Sequence, residues 1–112
     1  MATLTVVNTT IDISTSITYD SAAAGGDQFV NDGNIVLLVR NGSGSSVTVT
    51  ITPGQAPYAG GAYSPLAVAV PAGDNYLIGP FRVDVYNDNS NYVQITYSAT
   101  TSVTLKAIRV RF

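Results

Sequence analysis

The sequence is most informative about the fold at "FVNDGNIVLLVRNGSGSSVTVTI", residues 29–51. Residues 35–39 are apolar at every position, whereas residues 47–52 alternate Val or Ile with Thr. The continuous apolar run predicts a strand covered on both faces, either central in a sheet or at a subunit contact. The alternation predicts a half-buried strand with a hydroxyl-bearing outer face. We expect the Gly/Ser segment between them to close the two strands into a hairpin.

The polar residues that precede the apolar run, Asn31, Asp32 and Asn34, have two interpretations. Calcium binds oxygen ligands at fixed spacing, and an EF-hand loop closes with a bidentate Glu. The chain has no glutamate, and Phe29 stands where a second ligand would be needed. Asn-Asp-Gly tolerates left-handed backbone angles and is typical of tight turns. We therefore interpret the cluster as a turn and expect no metal site and no cofactor.

The rest of the chain is also predicted to form strands and turns, and no segment has helical periodicity. One long or two short strands are expected near the N-terminus, a loop at 21–28, and further strands at 66–70, 75–81, 83–85, 93–97 and 103–112. Pro80 indicates an edge or a corner. In the last strand the apolar positions change parity near Ala107, which predicts either a β-bulge or a strand that leaves its sheet.

This spacing of strands predicts an all-β fold. We expect an antiparallel β-sandwich with Greek-key or jelly-roll-like connections and about seven to nine short strands, with a closed barrel as the alternative. The chain of 112 residues is predicted to be a single domain, residues 1–112. Residues 1–28 are a candidate mobile segment, and residues 103–112 a candidate C-terminal arm.

The composition argues against an enzyme. The chain has no Cys and no His, and its seven acidic residues are all Asp. General acid–base catalysis at neutral pH relies mostly on His, and Lys106 has no evident companion in the sequence. Paired aspartates can serve in hydrolases, and Asp84 with Asp88 is the nearest such pair. An Asp-based or metal-dependent hydrolase is therefore kept as a distant alternative.

Charge and hydropathy constrain the partners. Five cations in a chain of net charge −2 do not predict nucleic-acid binding. No apolar run reaches the roughly 20 residues that span a membrane, and the N-terminus does not resemble a signal peptide, so we expect synthesis in a cytosol. Only 11% of the residues in the chain are charged, and a surface so poor in charge suits a protein engaged with other proteins.

Two tyrosines of the long loop at 53–65 are candidate interface residues, Tyr58 and Tyr63. Tyrosine has a rigid apolar body and a polar tip, and it is enriched at protein interfaces. Stacking on a sugar ring is the alternative, although the chain has no Trp, the strongest stacking side chain.

The end of the chain supplies four further candidate interface residues, Lys106, Arg109, Arg111 and Phe112. If this strand lay at a sheet edge, the face with Phe112 would be buried and the two guanidinium groups on the other face would be offered to carboxylates elsewhere. The alternative is a last strand with ordinary solvated basic residues.

The succession "FVNDGNIVLLVRNGSGSSVTVTI", "VAVPAGDNYLIGPF", "VYNDNSNYVQITYS" and "VTLKAIRVRF" resembles small β-rich proteins encoded among bacteriophage and prophage head genes. Several of these proteins are capsid decoration, or cement, proteins. The resemblance covers about residues 29–111, and its most specific elements are N-D-G-x-x-x-L-x-V-x-N-G and V-P-A-G with I-G-P-F.

This resemblance implies a structural virion protein without catalytic residues or cofactors. Such proteins are typically homotrimers, made in the host bacterial cytoplasm, that bind the outer capsid surface. They bridge subunits of the major capsid protein, and because they bind the mature shell they stabilise it by mass action. Another virion component, a head-fibre or tail module with carbohydrate-binding loops, is the alternative function.

Overall fold

The computed structural model describes residues 2–4, 6–8, 19–55, 61 and 63–109. These residues form ten strands and one helical turn. Their bounds are β1 Ala2–Thr3, β2 Val6–Asn8, β3 Asp20–Ser21, β4 Asp27–Val30, β5 Ile35–Asn41, β6 Val47–Thr52, β7 Leu66–Val70, β8 Asn75–Ile78, α1 Val83–Tyr86, β9 Tyr92–Tyr97 and β10 Val103–Arg109.

The strands form two sheets. The first has the order β1-β4-β9-β6-β7, and the second has the order β2-β10-β5-β8, with β3 also beside β10. The pairs are antiparallel except for the short pairs of β1 with β4 and of β2 with β10, which are parallel. The predicted all-β sandwich is confirmed. The described parts of segment 1–28 pair with β4, β9 and β10, and the mobility of that segment stays a prediction.

From β3 onward, the chain changes sheets at every connection but one. Of the consecutive strands in this part, only β6 and β7 are hydrogen-bonded neighbours. These crossings are of the jelly-roll-like kind that the sequence predicted. They also show that the expected hairpin of residues 35–41 with 47–52 is wrong, because β5 lies in the second sheet and β6 in the first.

The side chain of Asn41 explains this crossing. It is buried at the end of β5, and its amide group donates to the carbonyl oxygens of Ser45, Val70 and Pro71 at 2.8, 2.9 and 3.2 Å. Its Oδ1 accepts the N–H of Ser43 at 3.0 Å. One side chain thus ties the Gly/Ser segment to the end of β7, and the chain turns into the other sheet.

The core lies between the two sheets and follows the alternation of the strands. On β5 the inward residues Ile35, Leu37 and Val39 are fully buried. The largest core side chains are Phe29 and Phe81, whose ring centroids are 5.6 Å apart. The outward Thr residues of β6 are half-buried or exposed, so the predicted hydroxyl-bearing face is confirmed.

Residues 83–86 form one turn of helix, so the short strand predicted at Val83 and Val85 is wrong. The carbonyl of Arg82 accepts the N–H groups of Val85 and Tyr86 at 3.2 and 2.9 Å. The turn occupies the crossing from β8 to β9, where Val83 is 43% exposed and no strand of the described residues pairs with it. No helix in the described part of the chain is long and apolar enough to cross a membrane.

The last strand, β10, has no bulge. Its pairing with β5 runs without interruption from Val103 opposite Asn41 to Arg109 opposite Ile35. The predicted bulge near Ala107 is therefore wrong. The change of apolar parity has another cause, because β10 carries buried residues on both faces, including Ile108. Nor is β10 an edge strand, since it lies between β5 and the pair β2 and β3.

Candidate interaction surface

The outer face of the second sheet carries an apolar row. On β5 the core takes the odd-numbered residues, so Val36 and Leu38 point outward. Register places Leu38 between Leu77 of β8 and Lys106 of β10, and it places Val36 beside Ile108. Because facing residues in paired strands lie on the same side of a sheet, these side chains share one surface.

This surface is exposed to solvent on the side of β8 and covered on the side of β10. Leu77 is 65% exposed, Leu38 and Val36 are half-buried, and Lys106 and Ile108 are only 5% and 9% exposed. The predicted central position of β5 is confirmed, with β8 and β10 on its two edges. Its second face, by contrast, is only partly covered within the chain. We call the exposed Leu77 together with the half-buried Leu38 and Val36 the apolar row. Contiguous apolar surface that solvent still reaches is a feature of contact sites.

Lys106 forms an ion pair with Asp20. The Nζ–Oδ2 distance is 3.4 Å, and the side chains are 6% and 37% exposed. The pair forms because β3 lies along β10, with Asp20 opposite Leu105. A buried ammonium requires such a partner, since the loss of hydration is costly. The companion that the sequence did not reveal for Lys106 is thus 86 residues away.

Arg109 binds the turn that precedes β5. Its Nε donates to Oδ2 of Asp32 at 2.8 Å. Partial burial acts to raise the pKa of Asp32. The hydrogen bond from the Asn34 N–H and the charge of the Arg109 guanidinium outweigh it and together lower this pKa below its ordinary value. The Asn34 N–H donates to Oδ1 of Asp32, and the Gly33 N–H to Oδ1 of Asn31, both at 3.0 Å. The interpretation of this cluster as turn chemistry is therefore confirmed.

Asp84 and Asp88, the two aspartates considered for hydrolysis, each bind other groups of the chain. Asp84 forms an exposed ion pair with Arg82. A hydrogen bond from the Tyr92 N–H lowers the pKa of Asp88. Partial burial acts to raise this pKa, and a further hydrogen bond from Gln94 lowers it, so that the net change is downward. A carboxylic general acid needs a raised pKa instead. Within the described residues, no three His, Cys, Asp or Glu side chains group closely enough to share a metal ion.

The predicted interface residues do not form one cluster in the part of the chain that is described. Lys106 lies on the outer face of β10, whereas Arg109 has the inward parity at the end of the strand. Tyr63 is half-buried in the loop before β7. Tyr58, Arg111 and Phe112 lie outside the described residues. For all of these residues the interface role stays a prediction.

Sequence reasoning missed Leu77 and the direction in which Leu38 points. The available signal was the pair Leu77–Ile78, two large apolar residues in succession in a strand followed by Pro80. One of the two had to point away from the core, because successive strand residues face opposite sides of a sheet.

Comparisons of the chain with protein-family models, with curated proteins and with solved structures found no match.

Proposed function

We propose that this chain is a structural virion protein, a homotrimer that binds the outside of a phage capsid and stabilises it by bridging major capsid protein subunits. The observation that supports the proposal is the apolar row, which leaves Leu77 65% exposed on the sandwich surface. The sequence resemblance to capsid decoration proteins points in the same direction. A chain with only 11% charged residues also suits a surface that meets other protein.

The physical role of such a protein is to add buried contact area to a shell. Burying a fully exposed leucine side chain is worth about 1.5–3 kcal/mol, so covering the exposed part of Leu77 supplies roughly 1–2 kcal/mol per copy. The gain is repeated at every site on the shell. Because the chain binds only the assembled shell, each bound copy shifts the equilibrium away from dissociation.

The scaffold suits this role. Both sheets pack on one core, and the ends of β5 are fixed by side-chain bonds at Asn31 and Asn41. Asn31 and Asn87 bind each other reciprocally, from Asn31 Nδ2 to Asn87 Oδ1 at 2.7 Å and from Asn87 Nδ2 to the Asn31 carbonyl at 2.8 Å. A surface held in this way loses little conformational entropy on binding.

The experiment uses mature empty capsids of the phage or prophage whose genome encodes the chain. Purified chain is added, and bound copies and the melting temperature of the shells are measured. We expect saturable binding and a raised melting temperature. Sedimentation of the chain alone is expected to show the trimer.

Leu77→Asp is expected to remove binding without unfolding the chain, because an exposed site tolerates substitution. Thr96→Asp adds the same charge to the exposed face of the first sheet and should bind like wild type. Full binding by Leu77→Asp would refute the role of the apolar row. Failure of the wild type to bind, together with a positive glycan array, would favour the carbohydrate-binding module over capsid decoration.

A further inference from the structure

Within the described residues the first sheet ends at β7, and in that part of the chain this edge strand has none of the usual protection. Natural sheets protect their edges with charged residues, prolines, bulges or very short strands. β7 has the sequence Leu-Ala-Val-Ala-Val, and its five residues pair with β6 in continuous register. Its prolines, Pro65 and Pro71, lie just outside the strand.

The direction of the backbone groups on β7 follows from its neighbours. The Ser98 N–H donates to the Thr48 carbonyl at 2.9 Å, and the Thr48 N–H donates to Oγ of Ser98 at 2.8 Å. The backbone of Thr48 therefore faces β9. Backbone direction alternates along a strand, so Val47 and Val49 face β7. Their partners Val70 and Val68 then face β6 in return.

The alternate residues of β7, Ala67 and Ala69, therefore direct their N–H and C=O groups away from the sheet. Both residues are exposed. The described residues supply no hydrogen bond to them. Their side chains are methyl groups, which let another backbone approach closely.

The strand is also complementary to itself. About a two-fold axis at Val68, antiparallel pairing places Ala67 opposite Ala69 of the other copy, and both have outward-facing backbone groups. Leu66 falls opposite Val70, so the inward apolar side chains of one edge continue into those of the other. Leu66 and Val68 are only half-buried at present, and this arrangement covers them. No like charges meet, because the strand has none.

We propose that the free edge of β7 pairs with β7 of a second copy of this chain, antiparallel about a two-fold axis at Val68. The first sheet then continues from one copy into the other. Pro65 falls opposite Pro71, and neither has an N–H to donate, so the ladder ends at the strand's own limits. This inference is independent of the capsid proposal, because it uses a different sheet and an edge instead of a face.

The size of the contact determines its strength. A pair of five-residue strands buries far less than the roughly 1,200 Å² typical of stable complexes. The pairing is therefore reversible and concentration-dependent. It is compatible with a trimer formed elsewhere on the surface, since the two-fold contacts of its three chains then join that trimer to one second trimer in a closed assembly of dihedral symmetry.

The test is sedimentation over a concentration series, from about 10 μM to about 1 mM, the range in which weak contacts form. The mass of the species present at the lowest concentration is expected to double. Amide hydrogen exchange is followed in the same series. The exchange rates of the Ala67 and Ala69 amides should fall as the unpaired fraction falls with rising concentration. The exchange rate of the Val68 amide, which is already bonded to β6, should stay unchanged.

The test variant is Ala67→Lys with Ala69→Lys, which places lysines opposite lysines across the axis. It should abolish the doubling and leave the low-concentration species intact. The matched control, Thr48→Lys with Thr50→Lys, adds the same charge to the same face one strand further in, and it should still double.

A rescue defines the register. The lysine variant mixed with Ala67→Asp and Ala69→Asp should regain the doubled mass as a one-to-one complex, because opposite charges then meet. A constant mass with fast exchange at Ala67 and Ala69 at every concentration would overturn the inference. Doubling that persists in the lysine variant would also overturn it, since the contact would then lie elsewhere.

Discussion

Replacing Asn41 by alanine is expected to destabilise the sandwich more than any exposed substitution. Asn41 is 1% exposed, and its side chain joins the end of β5 to the Gly/Ser segment and to the end of β7. Alanine leaves the backbone of the strand in place. The change therefore isolates the side chain that turns the chain from one sheet into the other.

The magnitude follows from the groups that lose a partner. The carbonyls of Ser45 and Pro71 belong to exposed residues, so water replaces the amide there. The Val70 carbonyl belongs to a fully buried residue that also faces β6, so it keeps the Val47 N–H as a donor, but water does not replace the lost amide bond. The Ser43 N–H also loses its acceptor. With about 1 kcal/mol for each of these two hydrogen bonds, and a smaller contribution from the space that the amide leaves, the expected loss is roughly 2–3 kcal/mol.

The assay is urea unfolding at neutral pH, with thermal melting as a second measure. A loss of this size lowers the melting temperature of a domain of about 100 residues by roughly 10 °C. Asn41→Asp should destabilise more than alanine, because a carboxylate replaces the amide against three carbonyl oxygens. Asn75→Ala, an exposed asparagine on β8, should change stability by less than about 0.5 kcal/mol.

Two results would refute this reasoning. One is a loss below about 1 kcal/mol for Asn41→Ala, which would mean that the amide bonds add nothing net to stability. The other is an Asn41→Asp variant more stable than Asn41→Ala, since the carbonyl cluster around the amide requires the reverse order.

Three further predictions concern buried groups. Lys106→Met should leave the free energy of unfolding in urea unchanged or raise it. Asp20→Asn should lower it by about 1–2 kcal/mol, because the buried ammonium of Lys106 then loses its partly exposed anionic partner. The reverse order of the two variants would contradict the pairing. Gly26→Ala should lower the free energy of unfolding by about 2–4 kcal/mol, since φ is +92° and a Cβ would lie 2.5 Å from a backbone oxygen. Gly44→Ala, at a position with open space around it, should leave the free energy of unfolding unchanged. Burial and a neighbouring carboxylate raise the pKa of Tyr97, so its contribution to stability is present below the ordinary tyrosine pKa of about 10 and is lost as the pH rises above it; absorbance titration should show one tyrosine that ionises only on unfolding.

Much of the fold was predictable because it depends on local patterns. The Val/Thr alternation of residues 47–52 defines a half-buried strand in any sandwich, and β6 occupies those residues. The turn at Asn31 and Asp32 was also predictable, since the bonds that form it reach only two residues along the chain. Strands and turns of this kind need no knowledge of distant partners.

The connections could not be predicted in the same way. A Gly/Ser segment between two strands suits a hairpin and a crossing equally well. The decision here depends on Asn41, whose partners Val70 and Pro71 are 29 and 30 residues away. The parity change in β10 also depends on a distant residue, because Lys106 is buried by its pairing with Asp20 and not by a bulge.

The candidate surface was predictable only in part. The run at 35–39 indicated a strand with two apolar faces, and Val36 and Leu38 do face away from the core. The exposed end of the row, Leu77, depended on which strand lies beside β5, and that is a long-range property.

The most direct test of the proposed function is an electron cryomicroscopy reconstruction of mature capsids incubated with the chain. We expect additional density on the outer surface, into which the sandwich fits with β8 and Leu77 against the major capsid protein. Shells without added density would contradict the proposal. Density in which Leu77 faces solvent would contradict the role assigned to the apolar row.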